Sequence, residues 1–419
     1  MASRSDPSSS PSSPSGSQFV RNVWRSVERV LAPLGQVPRP GAVALSCALA
    51  LVLRLFVSLA THGSNDIDTW QRFAHSVEVN GVLRTYQLEP KFNHPPLMGY
   101  YGALANTLAR AFQTRFDFVF KLLPILASTS AVFMVQRIAR LKLVWLLLFA
   151  INPTDVLISA YHGNTDCICA ACCLACVLFA DRERPQLSGF FLGAAINVKL
   201  IPVVLIAPLA LSFPPRKIWR FGVALGLCAL PFVPILLGAA AAFQRNAIAY
   251  NSQSARWGVG LLVNALDSRL QSPSPVLQSL ALGVGKPLIF GSSVVLGLVQ
   301  MRTRIFTRAE LCAIALSCFL VFAPGFGVQY LVYPSAFFAA TLARGGFRYT
   351  YLAGAFAFLV YDGYWTGGWP AVSYFRPPFD LRSILVGFLV WIWLARYLAG
   401  AAKRVCEPLF LRLTPDREP

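Results

Sequence analysis

From position 42 to position 400 the chain is a succession of apolar runs parted by short polar breaks. A helix rises about 1.5 Å per residue, so roughly 20 apolar residues cross the hydrocarbon core of a bilayer. On that rule the predicted spans are 42–60, 117–136, 143–160, 164–180, 187–198 joined to 200–212, 219–242, 277–299, 309–324, 328–343, 349–362 and 382–400. Lys199 interrupts the apolar run VKLIPVV, which predicts two short halves meeting there. A polar break from NPTD to HGNTD separates 143–160 from 164–180. The expected fold is an all-α polytopic membrane protein of about 11–12 membrane helices with a long first outer loop carrying interfacial helices.

The polar remainder divides the chain. Residues 1–20 are Ser/Pro-rich and predict a disordered tail. Residues 21–41 carry Arg21, Arg25, Arg29 and Arg39 as a basic juxtamembrane segment suited to a short interfacial helix, and are too long and polar for a signal peptide. The transmembrane domain runs over 42–400, with outer loops at 61–116, 242–276 and 362–381, and 401–419 is a basic tail.

Composition supports this picture: 56% of residues are hydrophobic and 13% charged, with mean hydropathy +0.56, where a soluble chain carries roughly a quarter charged. The ten cysteines fall almost wholly within apolar segments, so no disulfide scaffold is indicated. A net charge of +19 could suggest nucleic acid, but basic loops on the cytoplasmic side explain it without such a partner. With the N-terminus cytoplasmic, the inner segments hold 22 of the 37 Lys and Arg and the outer segments nine. This orientation requires PPLMGYYGALANTLARAF, after His94, to lie along the surface or dip in rather than cross; otherwise every later loop flips.

In that topology Asp66, Asp68, Asp155, Asp166, Lys199, Arg245, Arg256, Arg376, Asp380 and all four histidines gather at the outer face. The stretch 62–97 opens the cluster, with four carboxylates and three histidines beside a bilayer, where charge is costly and usually has a task. Such a gathering suits chemistry on a polar group tethered to lipid.

Four segments carry a resemblance. They are Ser64-Asn65-Asp66-Ile67-Asp68 just after the first span, His94-Pro95-Pro96-Leu97, Asn152-Pro153 through Leu157-Ile158 to His162-Gly163-Asn164-Thr165-Asp166, and the run Gly189, Gly193, Lys199. In this order they resemble the C-type glycosyltransferases, polytopic enzymes that take a sugar from a polyprenyl-phosphate carrier. The likeness covers residues 62 to about 215 and is nearest to lipid-linked-oligosaccharide glucosyltransferases and polyprenyl-phosphate-mannose-dependent mannosyltransferases. It implies a polyprenyl-phosphate-sugar donor and a glycan, glycolipid or protein acceptor, in a bacterial plasma membrane or an endoplasmic reticulum membrane, with the site on the outer or lumenal face. No motif names the sugar.

An acceptor hydroxyl must lose its proton as it attacks the anomeric carbon, and a positioned carboxylate can take it. Asp66 is the expected base and Asp68 its neighbour, orienting the acceptor or a cation; the plainer reading is that both cap a loop helix. The leaving lipid phosphate needs positive charge, for which Lys199, Arg245, Arg256 and Arg376 are the candidates. Lys199 could instead snorkel, and Arg376, in YFRPPFD, could belong to an aromatic interface belt. His162 and Asp166, four apart, share a helix face and, with Asn164, could bind donor phosphate or acceptor sugar, or simply tie helices together. His94 could border the donor or merely start a turn. His62 and His75 read as surface imidazoles. Cys169, Cys172, Cys173 and Cys176 form one helix stripe that could hold a metal but suits close helix packing better. No cofactor is certain; a divalent cation could bridge Asp66 or Asp68 and a phosphate. The competing class is a transporter or lipid-carrier flippase, which would show internal repeats and charges at mid-membrane.

Overall fold

Pro40, its φ already suited to the first helical position, starts helix α1 (Pro40–Ala60). The inward face of α1 is Ser46, Ala50, Arg54 and Ser58, one helical turn apart, while Leu45, Leu49, Val52, Phe56 and Leu59 are exposed. That is the reverse of a water-soluble helix and suits one whose outer face meets hydrocarbon. The structure is a computed structural model and describes residues 32–250, 257–269, 276–341, 343–362 and 381–413.

The chain continues through α2 (Asp66–Leu88), α3 (Pro96–Ala111), α4 (Phe116–Ala139), α5 (Leu143–His162), α6 (Asp166–Asp181), α7 (Pro185–Val198), α8 (Ile201–Ala210) and α9 (Pro215–Gly238). After these come α10 (Gly258–Arg269), α11 (Val276–Thr303), α12 (Arg308–Phe322), α13 (Val332–Thr341), α14 (Ala343–Asp362) and α15 (Leu381–Leu413). The architecture is all-α, with no strand among the described residues. Among the described residues six helical segments are long and apolar enough to cross a membrane: α1, α4, α5, α9, Ser279–Thr303 within α11 and Leu381–Glu407 within α15. The other predicted spans are also helices, α6, α7, α12, α13 and α14, with α8 as a shorter apolar piece. The predicted outer loop 61–116 is largely helical, as α2 and α3.

Three interruptions shape the bundle. Helix α5 breaks at Asn152–Pro153, where Asn152 Oδ1 accepts the Asp155 backbone N–H at 2.9 Å, and then winds as a π-turn over Leu157–His162. Helix α7 stops where Lys199 turns extended. Helix α2 kinks at Gly81 (φ 75°, ψ 162°) and folds back, so that the Ser76 and Thr85 hydroxyls meet at 3.1 Å. Glu78 then clamps α2 to α3, accepting from Asn106 (2.9 Å), Thr107 (3.0 Å) and both terminal nitrogens of Arg110 (2.8 and 3.0 Å). Burial works against the Glu78 carboxylate, but these donors outweigh it and hold its pKa below the usual value.

Helix α6 sits at the centre, packed on α4, α7 and α13, and spans about 24 Å from Asp166 at one end to Asp181 at the other. The cysteine stripe on its surface is packing material: Cys169 Sγ donates to the Ala195 carbonyl (3.4 Å) and Cys176 Sγ meets Ser188 Oγ (3.1 Å), both on α7. Helices α7 and α9 touch backbone to backbone. A Cβ on Gly189 would lie 2.2 Å from the Phe221 carbonyl oxygen, and one on Gly193 would lie 2.4 Å from Cys228 Cβ. This is the small-residue packing by which helices associate in lipid.

Gly189→Val should therefore lower the unfolding temperature in detergent, at a cost of at least the ~1–3 kcal/mol of an overpacked core. Gly226→Ala, which meets nothing within 4 Å, should be neutral or gain up to about 1 kcal/mol.

Candidate active site

The site is built where two turns touch. The turn joining α1 to α2 contains Gly63 (φ +116°), and a Cβ there would lie 2.6 Å from the Tyr161 carbonyl oxygen. The turn joining α5 to α6 contains Gly163 (φ +69°), and a Cβ there would lie 2.6 Å from Ile67 Cδ1. Both glycines adopt a left-handed backbone and sit too close to a neighbour for any side chain. Their contact brings Asp66, the first residue of α2, against His162 at the end of the α5 π-turn.

Asp66 Oδ2 lies 3.2 Å from His162 Nε2 and accepts from Asn164 Nδ2 at 3.3 Å. Asn164 Nδ2 is also 3.1 Å from His162 Nε2, and His162 Nδ1 is 2.5 Å from Ser64 Oγ. The same Ser64 hydroxyl accepts the Asp66 backbone N–H at 3.3 Å. His162 is buried and stacks on Tyr361 (4.9 Å, 24°). The Asp66 side chain remains 40% exposed. Burial would raise its pKa, but the adjacent His162 ring and then Lys199 outweigh burial and hold it below the ordinary carboxylate value. The partial positive charge of the α2 N-terminus acts in the same direction. Asp66 is thus an ionised, half-open carboxylate at neutral pH.

Lys199 stands on the same side, where α7 ends. Its Nζ donates to both oxygens of the fully buried Asp166, at 2.9 and 2.7 Å, and lies 4.6 Å from the centre of the Tyr330 ring. The Tyr333 hydroxyl donates to Asp166 Oδ1 at 2.6 Å. Lys199 is therefore held in place by a fixed ion pair and an aromatic face. His94, buried and 4.2 Å from Trp70 centre to centre, borders the cluster. Its Nδ1 has no hydrogen-bond partner among the described residues. Burial, and then the Lys199 charge, pushes the His94 pKa down to about 3, so the ring is neutral at physiological pH.

Asp68 faces away from this group. Two positions along a helix turn a side chain by about 200°, and Asp68, 70% exposed, pairs instead with His62 Nε2 at 3.0 Å. His62 Nδ1 lies 3.8 Å from Asp117, which is buried and paired with Arg115 (2.8 Å) and Lys121 (3.6 Å). Lys121, wholly buried, donates to the carbonyls of Thr61 (3.0 Å) and His62 (2.7 Å) and fastens the Gly63 turn from behind. Asp155 lies deeper, bonded to Asn152 and near Arg54, whose guanidinium reaches Ser128 Oγ (2.9 Å) and the carbonyls of Ala50 (3.0 Å) and Ala150 (2.7 Å).

The structure thus gathers Asp66, His162, Asn164, Asp166, Lys199 and His94, and sets Asp68 beside them on another face. Arg245 is exposed on a one-turn helix, Gln244–Ile248, whose Asn246 docks on the Tyr86 carbonyl at 2.8 Å. No contact among the described residues links Arg245 to Asp66 or Lys199. Arg256, Arg376 and Asp380 lie outside the described residues. Sequence reasoning missed Ser64, Asp117, Lys121, Tyr330, Tyr333 and Tyr361, and read His62 as a surface imidazole. Lys121, a charge inside the apolar run FDFVFKLLPIL, carried the same signal as Lys199 and was the one most open to detection. Among the described residues no group of three or more His, Cys, Asp or Glu side chains is arranged to hold a metal. A cavity of about 580 Å³ opens at the opposite end of the bundle, lined by Asp181, Glu183, Arg304 and Arg308. It contains none of the site residues, and Arg308 is already bonded to Ser212, Ala180 and Glu183 there.

The described residues thus form a helical membrane bundle with an ionised carboxylate, imidazoles and a fixed cation gathered at one end, the class of integral membrane protein with a polar site. The family model of glycosyltransferase family 87 matches residues 92–324, more than half of the chain. The chain belongs to that family and is a membrane glycosyltransferase. His94, His162, Asn164, Asp166 and Lys199 lie inside the matched span, while Ser64, Asp66 and Asp68 precede it. No curated protein matches the chain.

Lys199→Met or Asp166→Asn alone leaves a buried charge unpaired and should cost about 3–5 kcal/mol, whereas the double variant should recover much of the loss; unfolding midpoints of the three in detergent check this. His94 sets a pH dependence. The unfolded chain takes up a proton near pH 6.5 that the folded site refuses until about pH 3, so stability falls as pH drops below 6.5. His94→Asn should show a shallower decline between pH 7 and pH 5 in the same assay.

Proposed function

We propose that this glycosyltransferase moves a hexose or mannose-type sugar from a polyprenyl-phosphate carrier to an acceptor hydroxyl on a glycan, glycolipid or protein, on the non-cytoplasmic face. The observation that carries the reading is Asp66: ionised, at a helix N-terminus, one oxygen held by His162 and Asn164, the side chain 40% exposed, and under the influence of the Lys199 charge. The acceptor hydroxyl gives its proton to Asp66 as its oxygen bonds the anomeric carbon, and the carrier departs as lipid phosphate. That leaving group is already ionic and needs cations and donors rather than an acid. Lys199, held by Asp166 and Tyr330, supplies a preorganised charge, and His94 a neutral ring that can donate or accept. Arg245, Arg256 and Arg376, on the outer segments, are the further candidates for the carrier phosphate. Asp68, exposed and tied to His62, faces away from Asp66 and does not share the proton; a contact with acceptor or a divalent cation remains its role in this reading.

The basic bias of the opposite loops, with Arg304, Arg308 and Lys217 at that end, supports a cytoplasmic N-terminus and a site facing the periplasm or lumen. The membrane would then be a bacterial plasma membrane or an endoplasmic reticulum membrane. Helix α3, packed on α2, suits a position along that outer surface.

Purified protein incubated with polyprenyl-phosphate sugars and acceptor should release the free carrier phosphate. Asp66→Asn should cut that turnover by about 10²–10⁴-fold, the usual contribution of a general base. Turnover close to wild type would remove Asp66 from the role.

A further inference from the structure

The two oxygens of Asp66 are used differently. Oδ2 meets both His162 Nε2 (3.2 Å) and Asn164 Nδ2 (3.3 Å), and no bond among the described residues occupies Oδ1. We infer that His162 and Ser64 are positioning residues for Asp66: Ser64 sets the His162 ring, the ring holds Oδ2, and Oδ1 is left facing the acceptor hydroxyl. This rests on the reading of Asp66 as the base. It gives His162 a different task from binding donor phosphate, and brings in Ser64, which sequence reasoning quoted only as part of a motif.

The geometry favours it on three counts. Both ring nitrogens of His162 are engaged inside the protein, Nδ1 by Ser64 and Nε2 by Asp66, with Asn164 packed beside it, so the ring has no free edge for a phosphate. The ring is buried and lies flat on Tyr361, which fixes its plane. The π-turn that ends α5 at His162, followed by Gly163 in a left-handed conformation, delivers the ring to the α2 N-terminus; π-turns of this kind recur at functional sites. Ser64, also buried, closes the arrangement, because one hydroxyl contacts both the His162 ring and the Asp66 backbone N–H.

In the transfer step the acceptor O–H bond breaks and its proton passes to Oδ1. The acceptor oxygen bonds the anomeric carbon, and the bond from that carbon to the phosphate oxygen breaks with its electron pair on the lipid phosphate. His162 neither gains nor loses a proton overall; it keeps Oδ2 engaged so that the reacting oxygen is presented in one orientation. The groups that face Asp66 from neighbouring elements are His162, Lys199 and the His94 ring, neutral at physiological pH, with Asp68 on its own helix turned away; Tyr361 and Asp166 stand next to them. Of these His162 is the largest influence favouring the ionised carboxylate, so its removal should raise the pKa of the base.

The test is His162→Phe, which keeps a ring against Tyr361 and removes both nitrogens, assayed with a polyprenyl-phosphate sugar and acceptor. The expected result is a fall in kcat of about tenfold or more, short of the roughly 10²–10⁴-fold loss of the base itself, a donor KM little changed, and the acid limb of the kcat profile moved to higher pH. Ser64→Ala should shift kcat and the limb in the same direction by less, and Ser64→Thr, which retains the hydroxyl, should restore both. A raised donor KM with an unmoved limb would make His162 a donor ligand and overturn the proposal, as would unaltered kinetics. If His162→Phe fails to fold, the Ser64→Ala and Ser64→Thr pair decides by the same readouts. Asp66→Asn run alongside separates the two ideas: if it retains turnover the base itself is misassigned, and if it is inactive while the limb stays fixed in His162→Phe and in Ser64→Ala, only the positioning role fails.

Discussion

The arrangement depends on one close approach, between the turn after α1 and the turn after α5. Gly63 sits against the Tyr161 backbone, Gly163 against the Ile67 and Lys121 side chains, and neither position has room for a Cβ. Because the backbones can come this near, the first carboxylate of α2 reaches an imidazole nearly a hundred residues later. Lys121 bonds the carbonyls of Thr61 and His62 from the other side and is itself paired with Asp117. The site is therefore held by buried polar bonds rather than by apolar packing, which in a low-dielectric setting makes it rigid and intolerant of partial loss.

Charge in this protein is segregated by end. Helix α6 carries Asp166 in its first turn and Asp181 in its last, and each meets a cation supplied by another element, Lys199 or Arg308. At the site end, among the described residues, Asp66 has no fixed cation bonded to it and keeps one oxygen open. At the other end Arg308 and Lys217 are balanced by Glu183 and Asp181, and Glu310 binds Arg404. The first arrangement is poised to receive a group; the second anchors helix ends. This difference, rather than cavity volume, sets the candidate site apart from the opposite end of the bundle.

The spans were legible because their signal is long and repetitive: twenty-odd apolar residues have few alternatives in water or lipid. The breaks at Asn152–Pro153 and Lys199 were legible too, since proline and a lone charge interrupt such runs visibly. Less was legible of the site. Asp66, His162, Asn164, Asp166, Lys199 and His94 all stood out as polar residues at span edges, and the structure draws them together. Asp68 stood out equally yet turns the other way, because its direction is decided by α2 starting at Asp66, a local helix phase that the spacing alone left open. The tyrosines at 330, 333 and 361 could not be picked from thirteen by composition. Their role comes from which helix faces Asp166 and His162.

Taken alone, the order of residues determined the class of fold, the places where helices stop and the pool of groups available for chemistry, since hydrophobic run length and the cost of unpaired charge in lipid act locally along the chain. Tertiary structure decided the pairings: His162 with Asp66, Lys199 with Asp166, His62 with Asp68. Those partners are separated by anything from six to nearly a hundred positions, and a hydrogen bond is fixed by a few tenths of an ångström and an angle, quantities that exist only once the helices have packed.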